Sequence, residues 1–178
     1  MSEALQALYR GDEARGRELL GEDATLSVFE AAAFGRTGRL QAILAADPAQ
    51  ASARSEDGFS PLHLAVFGGQ ADAARVLLAS GADVNQLSTG DIAQVTPLGT
   101  AAFARSLPLA ILLLDAGAAI DRPGGGGFTP LHGAAQNGDL ELARELVARG
   151  ADRTVRASDG TTPADLATSD EMRRLVAP

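Results

Sequence analysis

The sequence contains no cysteine and no lysine, and aromatic residues make up only 4% of its 178 positions. Without cysteine, thiol redox catalysis and thiolate metal sites are excluded. Without lysine, Schiff-base chemistry is excluded, and so is the P-loop, whose lysine contacts the nucleotide phosphates. Several classes of enzyme are therefore ruled out by composition alone.

Positive charge is also scarce, because 15 arginines face 23 acidic residues and the net charge is −8. No stretch is basic enough to suggest nucleic acid or an anionic membrane as a partner. The N-terminus lacks the order of a secretory signal, and the most apolar stretch, residues 107–120, is too short to span a bilayer. We expect a soluble cytoplasmic protein, and the preference for arginine and alanine suggests a bacterial source.

One segment recurs five times along the chain. "SVFEAAAFGR" begins at Ser27, "SPLHLAVFGG" at Ser60, "TPLGTAAFAR" at Thr96, "TPLHGAAQNG" at Thr129 and "TPADLATSDE" at Thr162. The spacings are 33, 36, 33 and 33 residues, and a fixed period of this size is typical of stacked repeats. We number repeat positions from each Ser or Thr, which therefore occupies position 1.

Each repeat has the pattern of two helices joined by a tight turn. Serine or threonine suits a helix N-cap, and the proline that follows in most repeats suits the first helical position. A glycine near position 10, such as Gly69 or Gly138, can end the short first helix in the left-handed conformation. A second amphipathic helix follows. Since no single repeat can bury its apolar side alone, stacking must supply the core.

These segments resemble ankyrin repeats, which share the 33-residue period and the "TPLHxA" pattern. The resemblance implies an all-α solenoid of stacked helix-turn-helix units that forms a single domain over residues 1–178. The expected divisions are a degenerate N-terminal unit at 1–26, repeats at 27–59, 60–95, 96–128 and 129–161, and a shortened C-terminal cap at 162–178.

The two histidines, His63 and His132, occupy position 4 of their repeats. Glu30 and Asp165 occupy the same position, and Ser27 with Glu30 has the pattern of a capping box. We therefore interpret the histidines as structural residues at helix starts. Neither a nucleophile–base set nor a phosphate-binding glycine motif is present, so no catalytic residue, metal site or cofactor is predicted. The "GGGG" of 124–127 is expected to be a flexible or closely packed loop tip.

Phenylalanine is concentrated at two repeat positions. Five of the six phenylalanines lie at position 8 or directly before position 1, and the resemblance implies that both places face the concave, loop-bearing side. They either pack locally between repeats or form an exposed apolar strip for a partner. The candidate partner-binding residues are Phe34, Phe59, Phe67, Phe103 and Phe128, with the acidic or polar neighbours Glu56, Asp57, Asp91, Gln136 and Asn137. A partner with an apolar ridge edged by basic residues would fit this set.

Two repeats depart from the pattern at position 10, where Arg36 and Arg105 replace glycine. Arginine in a left-handed turn is expected to cost about 1 kcal/mol relative to glycine, so these two turns are expected to be either rebuilt or strained.

The resemblance implies a non-enzymatic module that binds a protein partner along the concave side. One alternative is a regulatory or inhibitory subunit that occludes a partner enzyme. A second is an enzyme with two carboxylates in the groove, which would require converging, desolvated acids.

Overall fold

The computed structural model describes residues 1–22, 25–90 and 94–178, in which all regular secondary structure is helical. The prediction of an all-α fold is therefore confirmed. The α-helices are α1 Glu3–Tyr9, α2 Glu13–Glu18, α3 Val28–Ala33, α4 Thr37–Ala46, α5 Pro61–Phe67, α6 Ala71–Ala79, α7 Pro97–Phe103, α8 Leu107–Asp115, α9 Pro130–Asn137, α10 Leu140–Ala148 and α11 Asp170–Val176. Short 3₁₀ helices cover Pro48–Ser52, Gly125–Gly127 and Pro163–Leu166. None of the described helices is long and apolar enough to cross a membrane.

The chain divides into two compact units, Met1–Ile92 and Ala93–Pro178. In the first unit the hairpins α1–α2, α3–α4 and α5–α6 follow one another, with α3 packed on α5 and α4 on α6. In the second unit α7–α8 packs on α9–α10, and α11 packs on α9 and α10. Helical hairpins therefore stack in chain order within each unit, as the repeats predict.

The first helix of each repeat begins at the predicted cap. Ser27, Ser60, Thr129 and Thr162 each form a capping box with the residue three positions later. The Thr96 hydroxyl accepts from the Gly99 N–H at 3.0 Å, but glycine has no side chain to return the bond. The repeat that begins at Thr96 therefore has half the cap of its neighbours.

Both histidines are buried in these caps, which confirms their structural role. Nδ1 lies 2.8 Å from the Ser60 hydroxyl in His63 and 2.8 Å from the Thr129 hydroxyl in His132. The other ring nitrogen of His132 lies 3.1 Å from the Thr161 carbonyl oxygen. Because a carbonyl only accepts, Nε2 donates to the Thr161 carbonyl oxygen.

The turn after the first helix differs between the two repeats that carry arginine at position 10. Arg105 has a left-handed backbone with φ 53°, as expected, whereas Gly35 takes this conformation at φ 68° in the first full repeat. Arg36 has an ordinary φ of −78° and forms the N-cap of α4. Of the two predicted alternatives, the turn at Arg36 is rebuilt and not strained, because α3 ends one residue sooner and the left-handed conformation moves onto the preceding glycine.

The glycine loop is closely packed against its neighbours in the second unit. Gly125 N donates to the Gln94 carbonyl at 2.6 Å, and Ser158 N donates to the Gly126 carbonyl at 2.7 Å. A Cβ on Gly124 would lie 2.4 Å from the Gln94 oxygen, which is too close for any other residue. The loop is therefore the closely packed tip of the two alternatives.

Candidate functional site

The predicted phenylalanines differ widely in exposure. Phe34 is only 1% exposed and belongs to a core cluster that includes Leu5 and Leu8 of α1 and Leu64 of α5. Its ring also lies against Gly16, where a Cβ would come within 2.8 Å of it. Phe34 therefore belongs to the core, and the structure removes it from the candidate contact residues.

Phe59 and Phe67 are half-buried and pack against one tyrosine. The ring centroid of Tyr9 lies 6.2 Å from that of Phe59 and 5.4 Å from that of Phe67. Phe59 also contacts His63 at a centroid distance of 5.8 Å. Edge-on and tilted packing of this kind is favourable, so these two phenylalanines act as local staples in the first unit.

The acidic candidates of the first unit lie beside this aromatic cluster. Burial and the neighbouring Asp57 carboxylate raise the pKa of Tyr9 far above its usual value. Asp57 also accepts from the Ser55 hydroxyl, while Glu56 is exposed and pairs with the N-terminal ammonium group. Both acids thus already have neighbours within the chain. The third acidic candidate, Asp91, lies outside the described residues.

The second unit presents the other two phenylalanines differently. Phe103 is 70% exposed, and with the half-buried Phe128 it lines an open pocket of about 400 Å³. We call this the Phe103 pocket. Its lining consists of Val95, Thr96, Gly99, Ala102, Phe103, Arg122, Gly124, Phe128, Thr129, Pro130, Gly133, Gln136 and Asn137.

Two glycines in the lining leave the Phe103 pocket open. Gly99 occupies position 4, where the other repeats carry glutamate, histidine or aspartate, and Gly133 occupies position 5. In the repeat that begins at Ser60, position 5 is Leu64, which lies in the same core cluster as Phe34. A leucine at Gly133 would fill space beside Phe103. The sequence holds this signal, but it is visible only when the repeats are compared position by position.

Two polar candidates also line the Phe103 pocket. Gln136 is exposed, and its amide is available to a ligand. The Asn137 Nδ2 group donates to the Ala102 carbonyl at 3.1 Å, so this side chain ties α9 to the end of α7. The structure therefore brings together Phe103, Phe128, Gln136 and Asn137 of the predicted set.

The charges of the second unit are unevenly paired. Asp115 pairs with Arg149 at 2.6 Å, and Asp121 accepts from the Asp152 N–H at 3.0 Å. Arg105 and Arg122 are exposed, and their guanidinium groups make no ion pair or side-chain hydrogen bond with any described residue. Arg122 is the one charged residue among the described residues of the lining.

A smaller cavity of about 270 Å³ in the first unit contains the carboxylates Glu30 and Glu56. Burial raises the pKa of Glu30, but hydrogen bonds from Ser27 and Ser2 outweigh it and hold the pKa below its usual value. A general acid needs a raised pKa, and Glu56 is 83% exposed at its side chain. This pair does not have the converging, desolvated arrangement that the carboxylate-enzyme alternative requires.

Comparison with known families agrees with the stacked hairpins. Residues 28–124 match the model described as ankyrin repeats in three copies, and residues 113–167 match the model described as ankyrin repeats in many copies. The first match alone covers more than half of the chain. The protein belongs to the ankyrin repeat family, whose members generally serve as protein-interaction modules.

Similar proteins carry the matched region as a small part of a longer chain. The zinc finger CCCH domain-containing protein 33 of Oryza sativa is 40% identical over 108 residues, which are 57% of this chain and 18% of that protein. Ankyrin repeat and SOCS box protein 11 of Danio rerio is 34% identical over 121 residues, 66% and 39% of the two chains. The mouse B-cell lymphoma 3 protein homolog is 34% identical over 125 residues, which are 69% of this chain and 26% of that protein.

Proposed function

We propose that this chain is a non-enzymatic interaction module and that a protein partner binds at the Phe103 pocket. The family supports the general class, since ankyrin repeats usually act by presenting a surface. The location is supported by the second unit, in which apolar side chains remain open to solvent. The whole row of phenylalanines is therefore not needed for binding.

The observation that carries this proposal is the 70% exposure of Phe103 beside a pocket of about 400 Å³. A phenylalanine so exposed gains nothing for the isolated fold, because its ring remains in water. On association the same ring can bury roughly a further 100–170 Å². Large aromatic residues at the edge of a pocket are typical hot spots of protein interfaces.

The test is affinity capture of the partner from the source organism, followed by calorimetric titration of the purified partner against two variants. Phe103→Ser should weaken binding about tenfold or more, because a hot-spot side chain is removed. It should change the free energy of unfolding by less than about 0.5 kcal/mol, since the residue is mostly exposed.

Phe67→Ser is the matched control, because Phe67 occupies the same repeat position but packs on Tyr9. This variant should lose about 1–3 kcal/mol of stability and, while folded, keep its affinity for the partner. Equal partner affinities for wild type and Phe103→Ser would contradict the proposed site.

A further inference from the structure

We infer that the Phe103 pocket receives a partner segment that places a bulky apolar side chain next to an aspartate or glutamate. This inference rests on the proposed function and adds the chemistry of the partner. It differs from the basic-edged partner predicted from the sequence, because the described lining of the pocket includes Arg122 and neither Glu56 nor Asp57.

The shape of the pocket favours an apolar side chain. Gly99, Ala102 and Gly133 give it small lining residues, and Phe103 and Phe128 supply aromatic faces. A Cβ on Gly133 would meet only the Ala102 Cβ, at 3.5 Å, so the space beyond this glycine is free. An aromatic or large aliphatic side chain can therefore enter the pocket that Phe103 and Phe128 line.

The charge beside the pocket favours a carboxylate. The chain as a whole has a net charge of −8, yet Asp115 pairs with Arg149 and Asp121 accepts from the Asp152 N–H, both of which follow α10. Arg105 and Arg122 remain unpaired within the part of the chain that the structure describes. Arginine forms bidentate hydrogen bonds to carboxylates, so an acidic group next to the apolar anchor would meet Arg122.

The experiment uses a displayed library of random 12-residue peptides, selected on the wild-type chain and counter-selected on Phe103→Ser. Peptides that depend on Phe103 should be enriched about threefold or more in aspartate or glutamate beside an aromatic, leucine or isoleucine residue. The dissociation constant of one such labelled peptide is then measured by fluorescence anisotropy.

Single-charge variants locate the contact. Arg122→Gln should raise the dissociation constant about two- to fivefold, as expected for an exposed ion pair. Arg122→Glu should raise it further, and a peptide in which lysine replaces the acidic residue should recover affinity for this variant. Arg75→Gln removes one arginine paired with Asp72 on α6 of the first unit and should leave binding unchanged.

The outcomes separate this inference from the proposed function. Phe103-dependent peptides without acidic enrichment, or with equal affinity for Arg122→Gln, would overturn the inference and leave the proposed site standing. If no peptide depends on Phe103, both fail. If free 3-phenylpropanoate bound as tightly as the selected peptide, the pocket would be assigned to a small carboxylate. That result would also overturn the inference.

Discussion

At the scale of single residues, backbone conformation separates two arginines that share a repeat position. Arg105 is the one described residue other than glycine with a positive φ, 53°, while Arg36 has φ −78°. A side chain at a left-handed position crowds the backbone, whereas glycine adopts this conformation freely. Gly69 and Gly138 occupy the equivalent position in neighbouring repeats with φ of 71° and 67°.

Arg105→Gly should therefore stabilise the protein. We expect the free energy of unfolding to rise by about 0.5–1 kcal/mol, as measured by urea denaturation at constant slope. Arg36→Gly is the control, because its φ is already favourable and glycine would only add freedom to the unfolded chain. A larger gain from Arg36→Gly than from Arg105→Gly would contradict this assignment of strain.

At the scale of the helix, α9 contains a glycine that lowers its stability and leaves the Phe103 pocket open. Gly133 lies inside Pro130–Asn137, where glycine costs about 0.5–1 kcal/mol relative to a helix-forming residue. The chain retains this cost at the position where a side chain would fill the Phe103 pocket. The capping box of Thr129 and His132 holds the start of the same helix.

Gly133→Leu introduces the residue type that the repeat beginning at Ser60 has at the same position, Leu64. This substitution should change stability and partner binding in opposite directions. The free energy of unfolding should rise by about 0.5–1 kcal/mol, while partner binding should be lost because the leucine occupies the pocket. Thermal unfolding and titration measure the two effects. In contrast, Gly68→Ala should destabilise the protein, since its Cβ would lie 2.0 Å from the Ala33 carbonyl oxygen. Unimpaired binding by a stably folded Gly133→Leu variant would show that the partner does not use the pocket.

At the scale of the whole molecule, the repeats are predictable and the exposure of their side chains is not. The caps at Ser27, Ser60 and Thr129 could be read from sequence because they depend on residues three positions apart. The fates of Phe34 and Phe103 could not, although both occupy position 8. Their burial depends on packing between separate elements, since α1 and Leu64 contribute to the cluster that encloses Phe34.

The same reasoning explains what the sequence missed at the site. In the sequence, Gly99 and Gly133 only weaken the match to the repeat pattern. The structure shows that both line the Phe103 pocket. In the sequence, Arg122 is one loop charge among fifteen arginines, and only the structure shows that it lines the pocket. Pocket residues were therefore partly predicted as apolar and polar contacts, while the sign of the adjacent charge was not.

The most direct test of the central claim is the hydrogen-exchange footprint of the captured protein partner on the full chain. Partner binding at the Phe103 pocket should slow amide exchange in α7, in residues 122–128 and in α9, the segments that supply most of the pocket. Exchange in α2 and α4 should be unchanged. Protection confined to the first unit, or to α8 and α10, would contradict partner binding at the Phe103 pocket.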